Sequence, residues 1–175
     1  EEAIAKGIKR GGKQRGYVFK RLKPSTESAD VSDTAYQDGL YTQTAIQQLD
    51  DLEKSGKPWF LGVGYQKPHL PFVAPKKYWD LYNRDHIELA EFQKLSEGTP
   101  KFAFHSFGEL RAFSDIDNAL NIGDKLSDAK QRELIHGYMA CISYIDAQIG
   151  KLLDDLQRRS ILEETVIVLW GDHGF

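Results

Sequence analysis

Residues 59–72 read WFLGVGYQKPHLPF: an apolar run without alternation, a lysine and a histidine around one proline, then a second proline. The first half, WFLGVGY, predicts a strand buried on both faces, because one-sided burial leaves every second residue polar. Its two glycines permit close backbone approach. The second half carries more than an exit loop needs, since its prolines fix φ and stiffen the backbone that presents Lys67 and His69. Near the other end TVIVLW, residues 165–170, makes a second β-branched, unalternating run, followed at once by Gly171, Asp172, His173 and Gly174.

The segments between these runs are helical in pattern. From about Asp38 to Lys54, Leu40, Tyr41, Ala45, Ile46, Leu49 and Leu52 fall on one side at helical spacing, with Ser55-Gly56 as the stop and Pro58 beyond it. Pro75 suits the first turn of a short helix in PKKYWDLY. The longest signal runs from Ser127, a natural N-cap, to about Arg159. There Leu134, Tyr138, Cys141, Ile142, Ile145, Ile149, Leu152, Leu153 and Leu156 recur at steps of three and four. Residues 1–30 are mixed-charge and turn-rich, with at most a short strand at Tyr17–Phe19, and 83–126 are irregular. Helix, strand, long excursion, helix and strand predict an α/β layered fold with a mostly parallel sheet flanked by helices.

A chain of 175 residues supports one domain with a real core. Its 23 basic residues stand against 26 acidic ones, so no basic field recommends nucleic acid or an anionic membrane as partner. No apolar run approaches the roughly 20 residues of a membrane helix. The single cysteine, Cys141, excludes an internal disulfide and a Cys-based zinc cluster, and its place on the apolar face of the long helix makes it a core residue. The charged, glycine-punctuated beginning and the GDHGF end read as an internal piece of a longer chain.

In open α/β sheets ligands bind beyond the carboxyl ends of the strands. Both polar clusters follow predicted strands and occupy that edge if the strands are parallel. Asp172 offers a hard oxygen and His173 an imidazole nitrogen, two donors of a metal site whose remaining ligands come from elsewhere. Lys67 and His69 suit an anion, the lysine as a point charge and the histidine as a hydrogen-bond donor or general acid. Each cluster also has a plainer reading. KPH can be a solvated loop, and GDHG a turn in which Asp172 accepts local backbone hydrogen bonds.

Taken together, PWFLGVGYQKPHLPF, FAFHSFGELR, and the pairing of GYMACISYIDAQIGKLLDDL with TVIVLWGDHGF resemble the type I sulfatases, in the branch that contains iduronate-2-sulfatase. The resemblance covers roughly residues 30–175. It implies an alkaline-phosphatase-like α/β fold, of which residues 1–175 form part of the catalytic domain, and hydrolysis of sulfate esters at a calcium site. It also implies a formylglycine nucleophile made from a cysteine or serine upstream of this chain. His69 matches the histidine that contacts the sulfate group and protonates the leaving oxygen. Lys67 stands at the neighbouring position of that motif, with a role in anion binding, and Asp172 and His173 match the late pair of metal ligands.

Cys141, in ACISY, lacks the proline and arginine of the nucleophile motif. The isolated chain is therefore expected to be inactive, its function belonging to the full-length protein. His105, Glu109 and Arg111 are candidates to line the substrate pocket, against the plainer reading of a surface loop anchored by Phe102, Phe104 and Phe107. His136 reads as structural or solvated, and His86 has no evident partner. Lys76 and Lys77 could steer an anionic sugar or simply be solvated. The expected partner is a sulfated carbohydrate or another sulfate ester, and the family points to a secreted, periplasmic or lysosomal location. Two alternatives stand beside this: a phosphoryl or phosphonyl hydrolase of the same superfamily, and a non-catalytic relative that binds sulfated glycans.

Overall fold

A computed structural model describes residues 23–117 and 121–173, and the Tyr17–Phe19 strand lies outside them. The described residues divide into two compact units, one built from 23–32 and the described part of 66–144, the other from 33–65 and 145–173.

In the first unit, strand β1 (Thr26–Ala29) pairs in parallel with β2 (Phe72–Pro75), Thr26 opposite Phe72 and Ala29 opposite Pro75. Helix α1 (Gln37–Lys54) belongs to the second unit, and the one-turn helix α2 (Lys76–Trp79) follows β2 directly. Pro75 closes the strand and stands at the N-cap of α2, a position where its missing N–H costs no hydrogen bond. Short 3-10 turns at Arg84–His86, Lys101–Ala103 and Leu110–Ala112 punctuate the irregular stretch.

Helix α3 runs from Asp128 to Arg158, 31 residues or about 46 Å at 1.5 Å per residue. Ser127 caps it as predicted, its Oγ accepting from the Lys130 N–H at 3.3 Å. Its other end closes by a left-handed residue, Ser160 at φ 62°, with the Ile161 N–H donating to the Leu156 carbonyl at 3.1 Å. A β-carbon is tolerated there without glycine because the hydrogen bond satisfies a terminal carbonyl.

The first unit's core forms where α3 meets β2 and α2. Ala74, Ala140, Cys141 and Tyr144 have no exposed surface, and Phe72, Tyr78, Trp79 and Phe113 are buried with them. The Phe72 and Tyr138 rings meet edge to face at 5.8 Å, and the Cys141 thiol donates to the Val73 carbonyl. His136 is buried, its Nε2 at 2.8 Å from the Trp79 carbonyl and its Nδ1 accepting from the Arg84 guanidinium at 3.2 Å. It is structural.

Around this core lies a mixed-charge cluster. Lys130 Nζ reaches Asp115 at 2.6 Å and Glu133 at 2.8 Å, while Ser25 donates to Asp115 through both its N–H and its hydroxyl. Thr26 donates to Glu133. Partial burial pushes the Asp115 and Glu133 carboxyls up, yet hydrogen bonds from Lys130, Ser25 and Thr26 more than offset it and hold both below the usual carboxylate range. Burial likewise pushes Lys130 down, and its two carboxylate partners reverse the sign and hold it above the usual lysine range.

In the second unit α1 buries Asp38, Gly39, Thr42, Ala45 and Leu49 on one face. It stops at Gly56, in the left-handed region at φ 62°, as Ser55-Gly56 predicts. Buried polar groups are matched rather than avoided. Asp33 accepts from Gln148 and Lys151, and Arg159 reaches Asp155 and Asp50 at 2.6 Å each and also pairs with Glu53.

Two expectations change. Neither 59–65 nor 165–170 is a strand, because among the described residues neither run has a neighbouring strand to supply a ladder. Residues 59–65 instead show alternating burial, odd-numbered positions half-buried and Phe60 89% exposed. Val166 and Trp170 are 90% and 75% exposed. The parallel pairing that the α/β reading requires is made by β1 and β2. On α3 the buried face is also turned from the predicted stripe: Ile142 is exposed, while Gln148 and Asp155 are buried by virtue of their partners.

Gly137 is the point of closest approach. A Cβ there would stand 2.8 Å from Phe72 Cβ and 2.8 Å from the Trp79 ring. Alanine normally stabilises a helix relative to glycine by about 1 kcal/mol. Here Gly137→Ala is expected to destabilise by about 1–3 kcal/mol through overpacking, read as a lower midpoint in denaturant. The charge cluster sets a pH dependence. The depressed carboxyls contribute stability above their unfolded values and lose it as pH falls through the folded ones; the raised Lys130 contributes below its unfolded value and loses it only in strong alkali. Lys130→Met is therefore expected to flatten the fall in stability between about pH 5 and pH 2, measured by urea unfolding across that range.

Candidate active site

The loop between the apolar run and β2 holds the first candidates. The His69 N–H donates to the Gln66 carbonyl at 2.9 Å, closing a turn. Both its Xaa-Pro bonds, Lys67-Pro68 and Leu70-Pro71, are cis. The half-buried Lys67 folds its ammonium back onto the same loop, donating to the His69 carbonyl at 2.8 Å and the Pro71 carbonyl at 2.9 Å. Lys67, expected as an anion binder, is thus placed as a brace on the loop that carries His69.

His69 is exposed, and its ring is fixed in a definite tautomer. Nδ1 lies 2.6 Å from the Leu70 carbonyl, which can only accept, so Nδ1 carries the hydrogen. Nε2 is then the nitrogen left to face outward from the loop. It stands 3.7 Å from Glu109 Oε1, within ion-pair reach and beyond hydrogen-bond distance.

Glu109 arrives from the aromatic-rich excursion. Phe107 adopts the left-handed region at φ 54°, sparsely populated for a residue with a side chain. Two contacts hold it there: its N–H donates to His105 Nδ1 at 3.0 Å, and its carbonyl accepts from the Arg111 N–H at 2.9 Å. The His105 ring meets the Phe107 ring edge-on at 5.4 Å. His105 therefore shapes its own turn, while Arg111 is half-buried within the 3-10 turn that follows. Phe102 is 89% exposed and does not anchor the loop, whereas Phe104 and Phe107 are half-buried.

Asp172 and His173 lie in the other unit, both exposed, with Asp172 Oδ1 accepting from the His173 N–H at 3.0 Å. They present one carboxylate and one imidazole, a donor set that suits a divalent cation when further ligands join it. Among the described residues there is no group of three or more His, Cys, Asp or Glu able to hold a metal ion. Lys76 pairs with Asp80, and Lys77 lies over the Tyr78 ring at 4.9 Å, so both are engaged locally. The structure brings together Lys67, His69 and Glu109, and the sequence held no signal for the Leu70 carbonyl that sets the tautomer, because every residue has one.

The family model for sulfatases, described as "Sulfatase", matches residues 6–175. This chain belongs to the sulfatase family. It has the alkaline-phosphatase-like α/β fold in part, and the parallel β1–β2 pair with its flanking helices is consistent with that. Human iduronate 2-sulfatase is 36% identical over 163 residues, covering 91% of this chain and 30% of the relative. A choline-sulfatase from Rhizobium meliloti is 34% identical over 125 residues, 70% of this chain and 22% of the relative. The multifunctional alkaline phosphatase superfamily protein PehA of Trinickia caryophylli is 28% identical over 155 residues, 87% of this chain and 29% of the relative. The chain thus spans under a third of the length of these relatives.

The brace makes its own prediction. Two charge-assisted hydrogen bonds at a partly exposed site are worth about 1 kcal/mol in local order. Lys67→Met is expected to speed exchange of the His69 amide by about fivefold, measured by hydrogen exchange, with global stability nearly unchanged.

Proposed function

We propose that the full-length protein hydrolyses sulfate esters, with a sulfated carbohydrate as substrate. The observation that supports this best is His69 itself: a histidine of the sulfatase motif, held on a braced loop with Nδ1 committed to a carbonyl and Nε2 exposed. In this reading Nε2–H donates its proton to the bridging oxygen as the sulfur–oxygen bond breaks. The electron pair of that bond goes to the departing alcohol, which leaves neutral rather than as an alkoxide. General acid catalysis of this kind contributes about 10²–10⁴-fold.

The nucleophile is proposed to be a formylglycine in another part of the full-length protein. Asp172 and His173 are proposed as two donors to a calcium ion, which when bound would offset negative charge on the sulfate oxygens. His105 and Arg111 are proposed to border the substrate pocket. The sugar carrying the sulfate is proposed as a uronate 2-sulfate, on the similarity to iduronate 2-sulfatase. Among the described residues no helix is long and apolar enough to cross a membrane, and a secreted, periplasmic or lysosomal location is proposed from the family.

A second reading, hydrolysis of a phosphoryl or phosphonyl ester, is favoured by the similarity to PehA. Both are tested by assaying the full-length enzyme on iduronate 2-sulfate glycosides, 4-nitrophenyl sulfate and 4-nitrophenyl phosphate. Sulfate release is expected, with a fall of about 10²–10⁴-fold in His69→Ala and a loss on chelation that calcium restores. Phosphate release in excess of sulfate release would favour the second reading. The 175-residue chain alone is expected to turn over none of them.

A further inference from the structure

We propose that Glu109 is a positioning residue for His69, holding its imidazole as the proton donor to the leaving oxygen; this rests on the sulfatase reading above. The geometry carries it in three steps. Nδ1 of His69 is bound to the Leu70 carbonyl at 2.6 Å, so the ring turns one edge, Nε2, outward. Glu109 Oε1 stands 3.7 Å from that edge, while the nearby cation, Lys67, has its ammonium on the His69 and Pro71 carbonyls. Glu109 thus faces the one ring nitrogen not already bound to the loop, the nitrogen from which a proton would pass to the leaving oxygen while Nδ1–H stays on Leu70.

A carboxylate beside a sulfate-binding histidine is otherwise unfavourable, because it repels the substrate anion. It is useful there if its task is to hold the ring in orientation toward the leaving oxygen. The supply line of Glu109 fits that task. It follows a left-handed Phe107 held by His105 and Arg111 backbone and ring contacts, and so comes from a shaped turn rather than a free loop. The distance of 3.7 Å leaves room to tighten when substrate excludes water, as catalytic hydrogen bonds do between free and loaded enzyme.

The balance of the step is simple. The proton leaves Nε2 for the alcohol oxygen, the sulfur–oxygen electron pair goes to that oxygen, and the neutral imidazole is reprotonated from solvent beside Glu109. No group beyond those of the proposed hydrolysis is needed. A good leaving group, which departs without a proton, has little use for this arrangement. An unactivated alcohol depends on it.

The test uses the full-length enzyme, a series of aryl sulfates from electron-poor to electron-rich phenols, and an iduronate 2-sulfate glycoside. Glu109→Gln is expected to lower kcat about 10-fold or more on the glycoside and the poorest phenols, and to leave the best phenols within about threefold. Glu109→Asp should recover part of the loss. In a double-mutant cycle, adding Glu109→Gln to His69→Ala should cost no further activity on any ester that is turned over. Equal loss on all esters, a change in KM alone, or independent multiplication of the two substitutions would each overturn the assignment. If the wild-type enzyme releases sulfate from none of these esters, the sulfatase reading falls and the assignment with it.

Discussion

The first unit depends on one close approach, that of Gly137 on α3 to Phe72 and the Trp79 ring. The absent side chain lets the helix lie against the strand and the following turn, and the buried Ala140, Cys141 and Tyr144 continue the same contact line. Packing at this density transmits small displacements, because an interior without voids has nowhere to absorb them. Phe72 is also the first residue of β2, directly after the loop that carries Lys67 and His69. The helix contact therefore fixes the downstream end of the candidate site.

The upstream end is fixed differently, by charge rather than by shape. Lys67 spends its ammonium on two carbonyls of its own loop, and His69 spends one ring nitrogen on a third. Oriented carbonyls of a tight turn repel one another, and a cation placed on them relieves that repulsion. The loop is thus ordered by the residue that sequence alone presents as a substrate ligand. Similar economy appears in the second unit, where Arg159 collects Asp50, Glu53 and Asp155. Asp50 is held below the usual carboxylate range by its hydrogen bond from Arg159, and Arg159 is raised by its hydrogen bonds to Glu53 and Asp50. Burial pushes the Tyr65 phenol up, a hydrogen bond with Thr42 opposes this, and the Asp38 charge adds to the rise.

The helices were legible in the sequence because their signals are local. Gln37–Lys54 and Asp128–Arg158 agree with the predicted spans to within a residue, since periodicity, the Ser127 cap and the Gly56 stop each act over a few positions. Strands require a partner, and partnership is not written in a run of apolar residues: WFLGVGY and TVIVLW look alike and neither forms a ladder, whereas TESA and FVAP do. The same limit applies to the site. His69 and Glu109 could be picked out from their motifs, but their 3.7 Å approach joins residues 40 positions apart. Likewise Gln148 and Asp155 are buried because Asp33 and Arg159 receive them, which no hydrophobic count anticipates.

The placement of Lys67 alters the charge balance of the proposed chemistry. A sulfate ester is an anion, and a loop offering Lys67 and His69 looks at first like a cationic cradle for it. With the ammonium held on the His69 and Pro71 carbonyls and a carboxylate 3.7 Å from the imidazole edge, the loop's net field is weaker than its composition suggests. A lysine braced on backbone and a histidine faced by a glutamate suit the handling of a proton better than the binding of an anion.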